Sequence, residues 1–157
     1  MNLQCRDIGL SIVIPDNLLE KLYHTGMRHY PKEFGGILIG HYSEDMKICY
    51  VVDTIIPKKY KSAKYSFERG KEGLEKELKT FYEGKPRLIY VGEWHTHPDM
   101  MPEPSETDKQ ALKEISNHNE VNIANPLLLI LSNTKTGFTY SCYVQFKNKL
   151  YKYETNN

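Results

Sequence analysis

Two histidines and a carboxylate carry the chemistry that this sequence shows most openly. His95 and His97 lie two apart in Gly92-Glu93-Trp94-His95-Thr96-His97-Pro98. In an extended strand, residues i and i+2 point to one face, so two imidazoles can converge on a single ion. Asp108 is the third candidate. Ala111, Leu112 and Ile115 follow it by three, four and seven positions. At helical spacing these residues share one inward stripe with Asp108. An ionised carboxylate on such a face is costly unless a cation neutralises it, and no Lys or Arg occupies the stripe. A metal held by His95 and His97 supplies that charge. Two His and one carboxylate leave a fourth tetrahedral position for water, the arrangement of a catalytic zinc site.

A zinc hydrolase also needs a group that accepts a proton from water and hands it to the leaving amine. Two glutamates compete for that role. Glu93 shares strand parity with His95 and His97, and Glu33 precedes Phe34-Gly35-Gly36 and an apolar run. Spacing alone leaves both open. Ser105-Glu106-Thr107-Asp108 reads as a capping box with Ser105 as the N-cap. A capping serine is held rigidly at the helix start, beside the expected metal. His24, His29, His41 and His118 show no comparable ligand spacing and read as surface or packing residues.

The elements that must position these groups follow from periodicity. Ser11–Ile14 reads as a short strand, and Pro15-Asp16-Asn17 opens a helix that Pro31 ends. Leu18, Leu19, Leu22, Tyr23, Met27 and Tyr30 form its apolar stripe. Gly35–Gly40 and Ile48–Ile56 read as strands. Residues 57–67 hold four Lys without periodicity and read as a basic loop. A helix is expected from about Arg69 to Tyr82, stopped by Gly84-Lys85-Pro86. The site strand Leu88–His97 comes next, then a Pro-rich loop from Pro98 to Pro104 and a helix from Ser105 to about His118. Leu127–Leu131 reads as a central strand. Phe138, Tyr140, Cys142, Val144 and Phe146 alternate as a strand with one buried face. This mixed order predicts an α/β fold.

Composition sets the outer limits. A chain of 157 residues makes one domain. Lys plus Arg is 21 and Asp plus Glu is 20, so no basic excess supports a nucleic-acid partner. The Lys-rich stretch 57–64 offers only local charge and reads as solvated. Three cysteines, with no CxxC pair, argue against a cysteine zinc site and a disulfide framework. No signal-peptide pattern opens the chain, and no apolar run reaches membrane-spanning length. A cytoplasmic protein without a membrane partner is the expectation.

With these residues in hand, the sequence resembles the JAB/MPN metalloproteases. His95-Thr96-His97-Pro98, the seven residues Pro98–Pro104, and Ser105-Glu106-Thr107-Asp108 are similar to the JAMM motif of that family. Glu33-Phe34-Gly35-Gly36-Ile37-Leu38-Ile39-Gly40 is similar to its second signature. The resemblance covers about residues 10–146. It implies an α/β/α sandwich around a curved mixed sheet, one Zn2+, and His95, His97 and Asp108 as its ligands. It makes Glu33 the general acid/base and Ser105 the residue that stabilises an oxyanion. It implies hydrolysis of the amide bond after the C-terminal tail of a ubiquitin-like modifier or a tail-conjugated protein. The spelling with Glu93 before Trp94 resembles compact bacterial stand-alone deconjugases. Those belong to operons with E1- and E2-like enzymes, including anti-phage CBASS systems in which a nucleotidyltransferase tail is conjugated. The alternatives are a hydrolase for a sulfur-carrier protein or small-molecule amide, and a metal-binding scaffold without activity. Residues 57–67 and the loop 98–104 are the expected tail contacts, with the tail adding as a strand beside an exposed edge.

Overall fold

The computed structural model describes residues 1–118, 123 and 125–156. Residues 119–122, 124 and 157, which the single-domain expectation includes, lie outside the described residues. The elements run β1 (Asn2–Cys5), β2 (Leu10–Val13), α1 (Asp16–Met27), β3 (Gly35–Tyr42) and β4 (Ile48–Ile55). They continue β5 (Tyr60–Ala63), β6 (Ser66–Arg69), α2 (Leu74–Glu83), β7 (Ile89–Thr96) and α3 (Glu106–Asn117). β8 (Leu127–Thr134), β9 (Gly137–Phe146), β10 (Lys149–Lys152) and β11 (Glu154–Thr155) complete the chain.

Nine strands form one mixed sheet in the order β10-β9-β8-β7-β3-β4-β2-β1-β11. β2–β4 and β7–β8 are parallel, and the central β3–β7 pair is antiparallel. The two outermost strands of this order are neighbours in sequence, separated only by Tyr153. Residues 149–152 pair with β9, and residues 154 and 155 pair with β1. One short segment therefore joins both edges, and the sheet must curl round to allow it. Tyr153 is buried inside the curl, and its N–H donates to Cys142 O at 2.9 Å.

The two faces of the sheet hold separate cores. Inside the curl, Leu18, Leu19 and Leu22 of α1 pack with Ile12, Leu38, Val51, Trp94, Leu129 and Val144. Cys5, Cys49 and Cys142 are buried free thiols in this core, as small apolar fillers. On the opposite face, Leu74, Leu78 and Phe81 of α2 cover Ile37, Ile39, Ile55 and Leu88. Leu112 of α3 covers Leu128, Ile130 and Tyr143. This is the expected α/β/α layering around a curved mixed sheet.

The structure changes several expected elements. The basic loop is a two-stranded hairpin, β5–β6, running Tyr60↔Arg69 to Ala63↔Ser66. Arg69 ends a strand rather than opening a helix, and α2 starts only after Gly73, which adopts φ +73°. α1 is capped by Pro15 without a side-chain hydrogen bond, so Asp16 and Asn17 lie inside its first turn. It stops at Met27, ahead of Pro31. No described helix is long and apolar enough to cross a membrane.

Tyr153→Ala is expected to destabilise the protein by on the order of 3 kcal/mol, the range for truncating a buried aromatic. Urea unfolding followed through Trp94 fluorescence measures it.

Candidate functional site

β7 positions the two imidazoles. In its register Glu93 stands between Ile37 of β3 and Leu128 of β8, and His95 stands between Gly35 and Ile130. A polar seam thus runs down one strand, between the apolar patches under α2 and α3. Gly35 is required by this pairing: a Cβ there would lie 2.2 Å from Trp94 O and 2.8 Å from His95 Cβ. His97 lies just past the strand end, with its N–H donating to Leu131 O at 2.8 Å.

α3 positions the carboxylate. The Asp108 N–H donates to Ser105 Oγ at 3.1 Å, and the Ser105 N–H donates to Asp108 Oδ2 at 2.8 Å. The capping box is real and reciprocal. It fixes the Asp108 side chain and satisfies two donors of the helix N-terminus at once.

Three donor atoms then face one another. His95 Nε2 and His97 Nε2 are 3.0 Å apart, and Asp108 Oδ2 lies 3.4 and 3.5 Å from them. Metal–ligand bonds of 2.0–2.1 Å in a tetrahedron put ligand atoms about 3.3 Å apart. The donor set therefore fits a tetrahedrally bound metal. Two imidazole lone pairs and a carboxylate oxygen repel at such distances unless a cation or proton lies among them. His97 Nδ1 lies 3.3 Å from Met101 O, where an N–H on Nδ1 donates and leaves the Nε2 lone pair for an ion. Among the described residues, His95, His97 and Asp108 are the group able to hold a metal.

Glu33 completes the cluster. Its side chain is 8% exposed, and Oε1 lies 4.0 Å from His97 Nε2. Burial pushes its carboxyl up; positive charge on His95 and His97 offsets this in part, and the Asp108 carboxylate adds to it. Burial alone would raise Asp108 too, but hydrogen bonds from His95 and His97 hold it well below the usual carboxylate range. Burial lowers the His97 imidazole, but the hydrogen bond to Asp108 and the charge of Glu33 turn the net shift upward. The two carboxylates are thus shifted in opposite directions, Asp108 down and Glu33 up.

Glu93 is engaged elsewhere. Arg69 Nε and Nη2 donate to its two carboxylate oxygens at 2.8 and 2.6 Å, and the Tyr90 hydroxyl donates to Oε1 at 2.9 Å. Both oxygens are engaged, whereas Glu33 faces His97, so the geometry favours Glu33 for proton transfer.

The sequence profile of prokaryotic homologs of the JAB domain matches residues 15–143. The chain belongs to this prokaryotic JAB family. A CD-NTase/cGAS isopeptidase from Enterobacter hormaechei subsp. hoffmannii (strain UCI 50) is 34% identical over 128 residues. That match covers 81% of this chain and 70% of the relative. A probable metalloprotease, y4qB, from Sinorhizobium fredii (strain NBRC 101917 / NGR234) is 28% identical over 123 residues, covering 76% and 74%. The solution structure of protein DSY2949 from Desulfitobacterium hafniense superposes with a TM-score of 0.69 over 91% of this chain and 90% of that one. At 17% identity it speaks for the fold alone.

Two residues near the JAB site escaped the sequence reading. Arg69 looked like the start of a helix, and its partnership with Glu93 has no local signature. His29 looked like a packing residue. It is one, but beside the site: its ring stacks on Phe34 at 3.7 Å, and its Nε2 lies 3.1 Å from the Tyr60 hydroxyl.

Ser105→Ala removes an N-cap acceptor and is expected to lower stability by about 1 kcal/mol. Thermal unfolding measured with and without added zinc tests whether that loss occurs in both states.

Proposed function

We propose that this chain is a zinc-dependent isopeptidase that cleaves the amide bond after the C-terminal tail of a conjugated protein. The convergence of His95, His97 and Asp108 beside buried Glu33 carries the reading. The family membership and the similarity to an isopeptidase and a probable metalloprotease support it. His95 Nε2, His97 Nε2 and Asp108 Oδ2 hold the zinc. Zinc, when bound, supplies Lewis acidity that polarises a carbonyl and lowers the pKa of water towards about 7.

The protein groups do the rest. Glu33 accepts the proton of the attacking water and delivers it to the leaving amine, a transfer suited to a carboxyl whose pKa is raised by burial. Ser105 Oγ accepts from the Asp108 N–H, so its own proton remains to donate to a carbonyl oxygen as negative charge develops. Ser105 is exposed at the helix start, within reach of substrate.

The relative named as a CD-NTase/cGAS isopeptidase favours a nucleotidyltransferase conjugate as the substrate class. A ubiquitin-like conjugate is the other tailed class that the site's chemistry accommodates. We assign the whole chain, residues 1–157, to one catalytic domain working in the cytoplasm, where three buried free cysteines stay reduced. E1- and E2-like enzymes would make the conjugate it cleaves. The tail would lie between the β5–β6 hairpin and the loop Pro98–Pro104. Exposed Tyr65 and Met101 offer apolar contact on these two walls.

Glu33→Gln is expected to lower kcat at least about 100-fold while one zinc per chain is retained. His95→Ala and Asp108→Ala should instead lose the zinc, as read by elemental analysis. Assays on a nucleotidyltransferase conjugate, a ubiquitin-like conjugate and a small amide, run side by side, identify the substrate class. Wild-type turnover by Glu33→Gln would overturn its role, and stoichiometric zinc in the ligand variants would overturn the metal site.

A further inference from the structure

Glu33 lies outside the sheet ladder, between α1 and β3, so its backbone groups must find partners elsewhere. Both come from the hairpin. The Glu33 N–H donates to Ala63 O at 2.8 Å, and the Ser62 hydroxyl donates to Glu33 O. The next residue is held differently: the Phe34 N–H donates to Thr96 Oγ1 at 3.0 Å, and Phe34 O accepts from the Thr96 N–H at 2.8 Å. The peptide groups of one residue therefore depend on the hairpin, and those of its neighbour on the metal-site strand.

The hairpin is fastened to that same strand. At its base, the bidentate Arg69–Glu93 pair ties the end of β6 to β7, two residues before His95. The two side chains are 21% and 17% exposed. Gly70 N–H donates to Lys59 O at 2.7 Å and closes the base. Between base and tip, the rings of Tyr60 and Phe67 meet Phe34 edge-on at 5.0 and 5.4 Å. A two-stranded hairpin standing alone is marginal in water. Its placement here rests on these ties.

We infer that the β5–β6 hairpin is the positioning element for Glu33, with Arg69 and Glu93 as the pair that fixes the hairpin to the metal-site strand. Glu93 is then a positioning residue, which accounts for a carboxylate on the face of His95 that is engaged by Arg69 and Tyr90. The inference rests on the proposed role of Glu33 in proton transfer. A displacement near 1 Å at a proton-transfer group can lower a rate about 100-fold. Ser62→Ala removes one tie with little change in packing. Arg69→Met with Glu93→Gln removes the base tie without leaving a buried lone charge.

The experiment pairs residue-resolved amide exchange of the zinc-loaded protein with kcat and KM on the conjugate that the wild type cleaves. In both variants the Glu33 amide should exchange at least about 10-fold faster, while the amides of Leu129 and Ile130 in β8 keep their protection. kcat should fall about 10- to 100-fold, with KM within about twofold and zinc content unchanged. Unchanged exchange at Glu33 overturns the inference. So does acceleration spread evenly over the sheet, which would make the pair a general stability element. A rise in KM alone, or an unchanged kcat, also overturns it and leaves the hairpin with no role beyond that of a substrate wall. If the wild type cleaves no tailed conjugate, the proposed activity fails, and the exchange measurement alone supports or overturns the positioning.

Discussion

Gly35 of β3 sits opposite His95 of β7 at a distance that admits no Cβ. From that contact the rest of the site follows. It presses the two central strands together where the imidazoles emerge, and it leaves Glu33, two residues earlier, beside His97. Gly26 plays the matching part inside the curl. A Cβ on it would lie 2.5 Å from Thr96 Cγ2, so α1 can press onto the residue that grips both polar groups of Phe34. Two missing side chains thus set how closely a helix and two strands converge at the metal-binding end of β7.

The sheet face that bears the site is divided by charge. α2 and α3 each cover an apolar patch; α2 also reaches Tyr90 at the start of β7, and the His95 end of that strand lies between the two patches. Along that strand stand Glu93, with Arg69, and then His95, with His97 and Asp108. Each buried charge meets an opposite charge or a donor, as burial requires. The two helices hold the sheet in shape from either side of this seam.

How much of this was legible in the sequence depended on length and repetition. The metal-site strand, the three helices and the central strands all carry long apolar patterns, and their existence was readable. So was the capping box, because Ser105 and Asp108 are only three residues apart. The spacing of His95 and His97, with Asp108 on the next helix, was visible for the same reason. The hairpin was not. Its strands have four residues each with one large apolar side chain apiece, Tyr60 and Phe67, too few for a readable alternation. The apolar stripe of α2 is real, but Gly70 and Gly73 break the chain after Arg69, so the helix starts only at Leu74. β1, β10 and β11 were missed because each is short and buries few side chains. Spacing left Glu33 and Glu93 open and the resemblance favoured Glu33; why Glu93 is engaged needed the fold, since only the three-dimensional structure brings Arg69 to it.

The segment that carries Tyr153 has a consequence for how this protein fails. In an open sheet the two edges are guarded by separate strands, and losing one exposes one row of unpaired peptide groups. Here residues 149–152 guard β9 and residues 154 and 155 guard β1. Local release of a single stretch would bare both edges together and uncover the thiols and aliphatic side chains inside the curl. Exposed strand edges are templates for pairing with other chains. Self-association under stress would then begin as a loss of sheet closure at β10 and β11, three or more strands away from β7, which would at first stay intact.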